Sequence, residues 1–156
     1  MNVINWAKKY YGVTDDTQSI FESSNAFSFL FIWAIFEGEA CGGYAKINQI
    51  KTIKNRFSNI NILEIFSFFQ LRYSNNKSKF DNLRISEQKI KQRTYNILTS
   101  KSPTKDEMTE ALLVILFRFR NNIFHGNKKP LQWGKYDDCL CHLINFMIIA
   151  LKNCRI

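Results

Sequence analysis

Ala111-Leu112-Leu113-Val114-Ile115-Leu116-Phe117-Arg118-Phe119 is apolar at every position except Arg118. Such a run is too hydrophobic for a surface helix and too short to cross a bilayer, so it reads as a buried helix. Arg120-Asn121-Asn122-Ile123-Phe124-His125-Gly126 follows directly. Only there do an always-charged cation, a titratable imidazole, carboxamides and a chain-reversing glycine gather at the end of an apolar segment. Asn121 and Asn122 are poor helix formers, and Gly126 suits a left-handed C-terminal cap. In an unbroken helix, five residues at about 100° each set Arg120 and His125 roughly 140° apart. The two converge only if the helix frays near Asn122, or if His125 faces the Arg120 of a second copy of the chain. Counting back from Arg120 in threes and fours meets Phe117 or Leu116, then Leu113. Arg120 therefore extends an apolar stripe, where a guanidinium needs a carboxylate, a carbonyl or a bound anion beside it.

Upstream, Phe27 to Phe36 (FSFLFIWAIF) is apolar apart from Ser28 and lies within a long helix. That helix is expected to run from a cap at Asp15, Asp16 or Thr17 to about Cys41. Leu30, Trp33 and Glu37 share one of its stripes, so Glu37 ends an apolar face as Arg120 does. Either Glu37 meets Arg120 and orients it or its ligand, or Glu37 forms a structural ion pair or reaches solvent. Gly42-Gly43 ends the helix and turns the chain. Val3, Trp6 and Tyr10 give a short helix over residues 2–11. Tyr44 to Phe57 sets Ile47, Ile50 and Ile53 or Lys54 at helical spacing among Lys46, Lys51 and Arg56, which is a basic, amphipathic pattern. Its charged face is a nucleic-acid surface or simply a solvated one.

Asn59-Ile60-Asn61 breaks the pattern and Ile62 to Tyr73 resumes it. Residues 74–82 (SNNKSKFDN) are polar and turn-rich and read as a flexible loop. The helix at Ile85 to Leu98 has lower apolar content and reads as an insertion over residues 85–99, outside the core bundle. Thr104 caps the central helix, with acidic residues in its first turn. Trp133 to Leu151 makes the last helix, its stripe passing through Leu140, Leu143 or Ile144, Met147 and Leu151.

These elements make the chain all-α, with residues 1–156 as a single bundle of about five or six helices. Fourteen Phe and 46% hydrophobic residues exclude a disordered chain. Twenty-two Lys plus Arg against thirteen Asp plus Glu give a net charge of +9, which favours a polyanionic partner, nucleic acid first. Cys41, Cys139, Cys141 and Cys154 are too few for a disulfide framework at this length and read as reduced thiols. The N-terminal MNVINWAKKYYG lacks the apolar core of a signal peptide and no run is long enough to span a membrane, so a cytoplasmic protein is expected. Cys139, Cys141 and His142 lie at spacings that do not converge on a helix, so no metal site is read there. No cofactor motif is present: there is no phosphate-cradling glycine loop, Gly-x-Ser-x-Gly elbow or His-Glu-x-x-His.

Arg120-Asn121-x3-His125 at the end of a buried helix, within FRFRNNIFHGNKK, resembles the HEPN superfamily of small all-α domains. The resemblance implies a metal-independent RNA endonuclease of a toxin–antitoxin or antiphage defence system. It also implies a homodimer that sets two Arg-His pairs in a shared cleft, and an antitoxin or defence-system partner. Other members have lost the chemistry and only bind. Arg120, Asn121 and His125 are then the catalytic residues; Glu37, from its place at the end of its own stripe, is a candidate supporting group. Some HEPN toxins carry a Tyr two residues after the motif histidine, where a partner nucleotidyltransferase attaches nucleotides. Here that residue is Asn127, so control by that route is not implied.

The residue types fit this chemistry. RNA carries its own nucleophile in the 2′-hydroxyl, and cleavage needs a base, an acid for the leaving 5′-oxygen and a cation for the charge on phosphorus. An imidazole titrates near neutrality and serves as either acid or base. A guanidinium offers forked donors to the non-bridging oxygens. Asn121 is suited to holding a phosphate oxygen or orienting the imidazole. Lys128 and Lys129, in the basic loop after the motif, are expected to hold flanking phosphates of the RNA. His142 lies in the middle of the last helix, so a second imidazole at the site would come from two-fold pairing.

Overall fold

The computed structural model describes residues 9, 10, 12, 24–57, 60–125 and 130–154, of which a few side chains are not described. Within them the chain forms seven α-helices and no strand. The expected helix over residues 2–11 lies outside the described residues apart from Lys9 and Tyr10, as does the start of the long helix at Asp15 to Thr17.

Helix α1 (Ser24–Glu39) buries Ala26, Phe29, Trp33 and Phe36, the three- and four-residue spacing that keeps one stripe inward. It packs along α7 (Asp137–Cys154) as the most extensive helix pair of the bundle. Gly42 and Gly43 take φ of +70° and +85°, where a side chain would be strained, and the Gly43 N–H closes the turn on the Glu37 carbonyl at 2.9 Å. The chain then runs without regular secondary structure through residues 44–46, where Lys46 is extended.

Helix α2 (Ile50–Lys54) lies between two 3₁₀ turns, Ile47–Gln49 and Asn55–Phe57, so the amphipathic stretch is helical but not one continuous α-helix. Its Lys54 turns inward: the ammonium reaches Asp106 at 3.3 Å and Glu110 at 3.4 Å. Helix α3 (Leu63–Ser74) follows, burying Ile65, Phe66, Phe69 and Tyr73.

Two expectations fail in the next segment. Residues 74–82 are not a plain loop, because they contain helix α4 (Lys77–Asp81), capped by Asn76, whose Oδ1 accepts from the Lys79 N–H at 2.9 Å. Phe80 anchors it, buried beside Tyr73 and Tyr95 at centroid distances of 6.1 and 5.0 Å. One aromatic outweighed the polar composition around it. Nor is the 85–99 segment an insertion outside the core. Helix α5 (Gln88–Thr99) packs on α3 and on α6 and buries Thr94, Ile97 and Leu98. Its apolar residues are few, but they lie on one face, and that face decides packing.

Helix α6 (Lys105–Phe124) is the centre of the bundle. Every residue from Ala111 to Phe117 is buried, and α2, α3 and α5 pack around it. Trp33 of α1 meets it edge-on at Phe117, with ring centroids 5.6 Å apart. The expected final helix begins as a 3₁₀ turn, Pro130–Tyr136, and becomes α-helical at Asp137.

Candidate functional site

Helix α6 does not fray at Asn122. It continues to Phe124, and the His125 N–H caps it on the Asn121 carbonyl at 2.9 Å. Helix propensity is overridden by tertiary contact: Asn122 is buried, and its Nδ2 donates to the Leu83 carbonyl at 3.3 Å. The intervening Asn121 lies about 100° from Arg120 and about 40° from His125 around the helix, so it fills the angular gap between them. Its Oδ1 accepts from Arg120 Nη1 at 2.9 Å. Arg120, Asn121 and His125 line one cavity of about 400 Å³ at this end of the helix.

The Arg120 guanidinium is held from several sides. Its carbon lies 5.4 Å from the Trp33 ring centroid and 4.9 Å from that of Phe124, within range of cation–π attraction. Glu37 Oε1 lies 3.6 Å from Nη2. The sequence alone left open whether Glu37 meets Arg120; the two do meet. Glu37 is itself fixed, accepting from the Trp33 indole N–H at 3.1 Å and from the Ala45 N–H at 3.2 Å. One carboxylate thus ties together α1, the segment after the glycine turn and the end of α6. Arg120 Nε is buried and has no hydrogen-bond partner among the described residues.

His125 is exposed, so its imidazole is open to solvent and ligand. Arg118 also borders the cavity, but its Nε donates to the Leu83 carbonyl at 3.0 Å, and burial lowers its guanidinium from the ordinary value. Lys128 and Lys129 lie outside the described residues.

Trp33, Tyr44, Lys46, Asn48, Ser86 and Glu87 also line the cavity, and the sequence did not assign them to the site. Tyr44 is 60% exposed, with the Lys46 ammonium 4.6 Å from its ring centroid. Their signal was absent from local pattern, because their segment reaches the site only through the glycine turn and the Glu37 contact. Trp33 was legible only as a stripe partner of Glu37.

Cys139 is buried, Cys141 is exposed and His142 stacks on Phe68 at 4.0 Å, so the three do not share a site. Among the described residues no group of three His, Cys, Asp or Glu side chains is arranged to hold a metal ion, and no helix is long and apolar enough to cross a membrane.

In comparisons with known proteins, no family model matches the chain, and no curated protein or solved structure shows significant similarity to it.

Proposed function

We propose that this chain is a metal-independent endoribonuclease that acts in the cytoplasm as a homodimer, in a toxin–antitoxin or antiphage system. The observation that carries the reading is the gathering of Arg120, Asn121 and His125 on one cavity, with the guanidinium fixed before any ligand arrives. Preorganised charge of this kind lowers a barrier without reorganisation at the moment of reaction.

In the proposed reaction His125 takes the proton of the RNA 2′-hydroxyl. The 2′-oxygen attacks phosphorus, and the bond to the 5′-oxygen breaks as that oxygen is protonated. The products are a 2′,3′-cyclic phosphate and a 5′-hydroxyl. Arg120 stabilises the charge on the non-bridging oxygens, and Asn121 holds the guanidinium or a phosphate oxygen. Pairing of two chains near the end of α6 would bring a second His125 as the acid and would cover Phe124, which is 55% exposed.

A second reading is a non-catalytic module that binds RNA, a nucleotide or a protein partner in the same cavity. It is favoured by the engagement of Arg120 with Glu37 and Asn121, which occupies donors that a phosphate would need. The test is incubation of a mixed RNA pool with purified protein in EDTA, with the product ends identified. Cyclic phosphate ends from wild type, lost in Arg120→Ala and His125→Ala, are the expected result. Salt-sensitive RNA binding by a folded dimer without cleavage selects the second reading.

A further inference from the structure

Beside Phe119, one residue along α6 from Arg120 and about 100° around the helix, lies a second cavity of about 230 Å³. Arg72 of α3, Lys79 of α4 and Lys135 of the Pro130–Tyr136 turn border it, together with Tyr73, Asn82 and Tyr136. Three cations from three separate segments converge there, and no carboxylate is among its lining residues.

Lys54, Lys91, Arg93 and Arg120 each have an acidic partner. Among the described residues Arg72, Lys79 and Lys135 have none, and the Arg72 Nε is buried without a hydrogen-bond partner. Converging like charges repel, and a bound anion offsets that repulsion. The neutral groups suit an anion as well. Asn82 carries a carboxamide, and the Tyr73 phenol, beside Arg72, carries its proton near neutrality and can donate.

We propose that this cavity binds a phosphate monoester, either a free nucleoside monophosphate or the terminal phosphate of an RNA strand, with Arg72, Lys79 and Lys135 as its charge partners. A monoester carries close to two negative charges near neutrality, whereas an internal diester carries one, so three cations favour the terminal group. The cavity is smaller than the roughly 300 Å³ at which small-molecule sites begin, so it encloses the phosphoryl group and part of the sugar and leaves the base outside. The assignment is independent of the Arg120–His125 cavity.

The test is isothermal titration of the full chain with four probes: inorganic phosphate, a nucleoside 5′-monophosphate, and a short oligoribonucleotide with a 5′-phosphate or with a 5′-hydroxyl. At least one nucleotide-derived monoester is expected to bind, with the 5′-hydroxyl strand at least tenfold weaker. Whichever monoester binds more tightly identifies the source of the phosphate. Lys79→Ala/Lys135→Ala removes two exposed side chains and is expected to fold and to bind at least tenfold more weakly, while Lys105→Ala, an exposed cation at the start of α6, binds as wild type does. Arg72→Gln is expected to weaken binding in the same way. Undiminished binding by the double lysine variant, an equal loss in Lys105→Ala, or no binding of any phosphorylated probe by wild type would each overturn the assignment.

Discussion

At its first turn α6 closes its polar groups on itself; at its last turn it leaves them facing a cavity. Thr104 Oγ accepts from the Glu107 N–H at 3.3 Å, and the Glu107 carboxylate accepts from the Thr104 N–H at 2.9 Å. Asp106 and Glu107 sit where the helix dipole favours negative charge. One turn on, Glu110 accepts from Arg93 and from Lys54, the Arg93 Nη2 at 3.1 Å. The C-terminal end is closed only in part, by the His125 N–H on the Asn121 carbonyl and by the contacts of Arg120 and of the Asn122 amide nitrogen. It has no basic residue in its last turn, Arg120 Nε and Asn122 Oδ1 lack partners among the described residues, and Phe124 and His125 are exposed. Buried polar atoms are rarely left unmade without a cost, and such a cost is tolerated where a site must receive something. One helix thus carries stability at one end and candidate chemistry at the other.

The largest effects expected separate these two roles. His125→Ala should lower RNA cleavage by about 10²–10⁴-fold and Arg120→Ala by about 10²–10³-fold, the usual sizes for losing an acid–base group or an electrostatic stabiliser. Because His125 is exposed, its variant should melt as wild type does. Lost activity matched by an equally large drop in melting temperature would make the C-terminal end structural and dissolve the contrast. Leu116→Ala, at a site with 0% exposure in the middle of α6, tests the other side. It should cost about 2–5 kcal/mol in urea unfolding, a large part of the stability of an ordinary domain. A loss under about 1 kcal/mol would mean that α6 is not the centre of the core.

Much of this was legible in the sequence, because hydrophobic pattern reports burial directly. Ala111 to Phe119 announced the central helix, and the stripes ending in Glu37 and Arg120 offered their contact as one of several readings, which the structure then forms. Reading failed where a few residues outweighed their surroundings. Phe80 organised a polar stretch into α4, and the narrow face of Ile97 and Leu98 drew α5 into the bundle. Asn122 looked like a helix breaker, since its buried bond to the Leu83 carbonyl lies 39 residues away in sequence. Tyr44 was invisible as a site residue for the same reason, and Lys46 was legible only as part of a basic face: what places both is a turn and a distant carboxylate. The gathering of Arg72, Lys79 and Lys135 has no local pattern at all.

Smaller effects sharpen the closed end. Burial pushes the Glu110 carboxyl upward, but the hydrogen bond and charge of Arg93 and the charge of Lys54 outweigh it, so the carboxyl is held below its ordinary value. A group lowered in the folded state stabilises at pH above its unfolded pKa and loses that contribution as the pH falls through its folded value. Glu110→Gln should therefore melt below wild type at neutral pH, and the two should converge as the pH drops beneath the ordinary carboxylate pKa of about 4.3. A constant difference across that range would mean that packing, not charge, holds the cluster.

Thr104→Ala removes the side-chain half of the reciprocal cap and is the mildest change at this end. It should lower the melting temperature by about 2–4 °C, as expected for losing one cap in a domain of this size. It should also raise the Glu107 carboxyl, which the Thr104 backbone N–H holds down most and the Thr104 hydroxyl holds down further. The rise should be only partial, since alanine keeps the backbone donor, and a proton-detected titration of the Glu107 side chain reads it. A full return to the ordinary carboxylate value would mean that the hydroxyl also positions the backbone, so that the first turn of α6 opens when it is lost. Cleavage by this variant should match wild type, because twenty residues of helix, buried throughout their centre, separate the cap from the cavity.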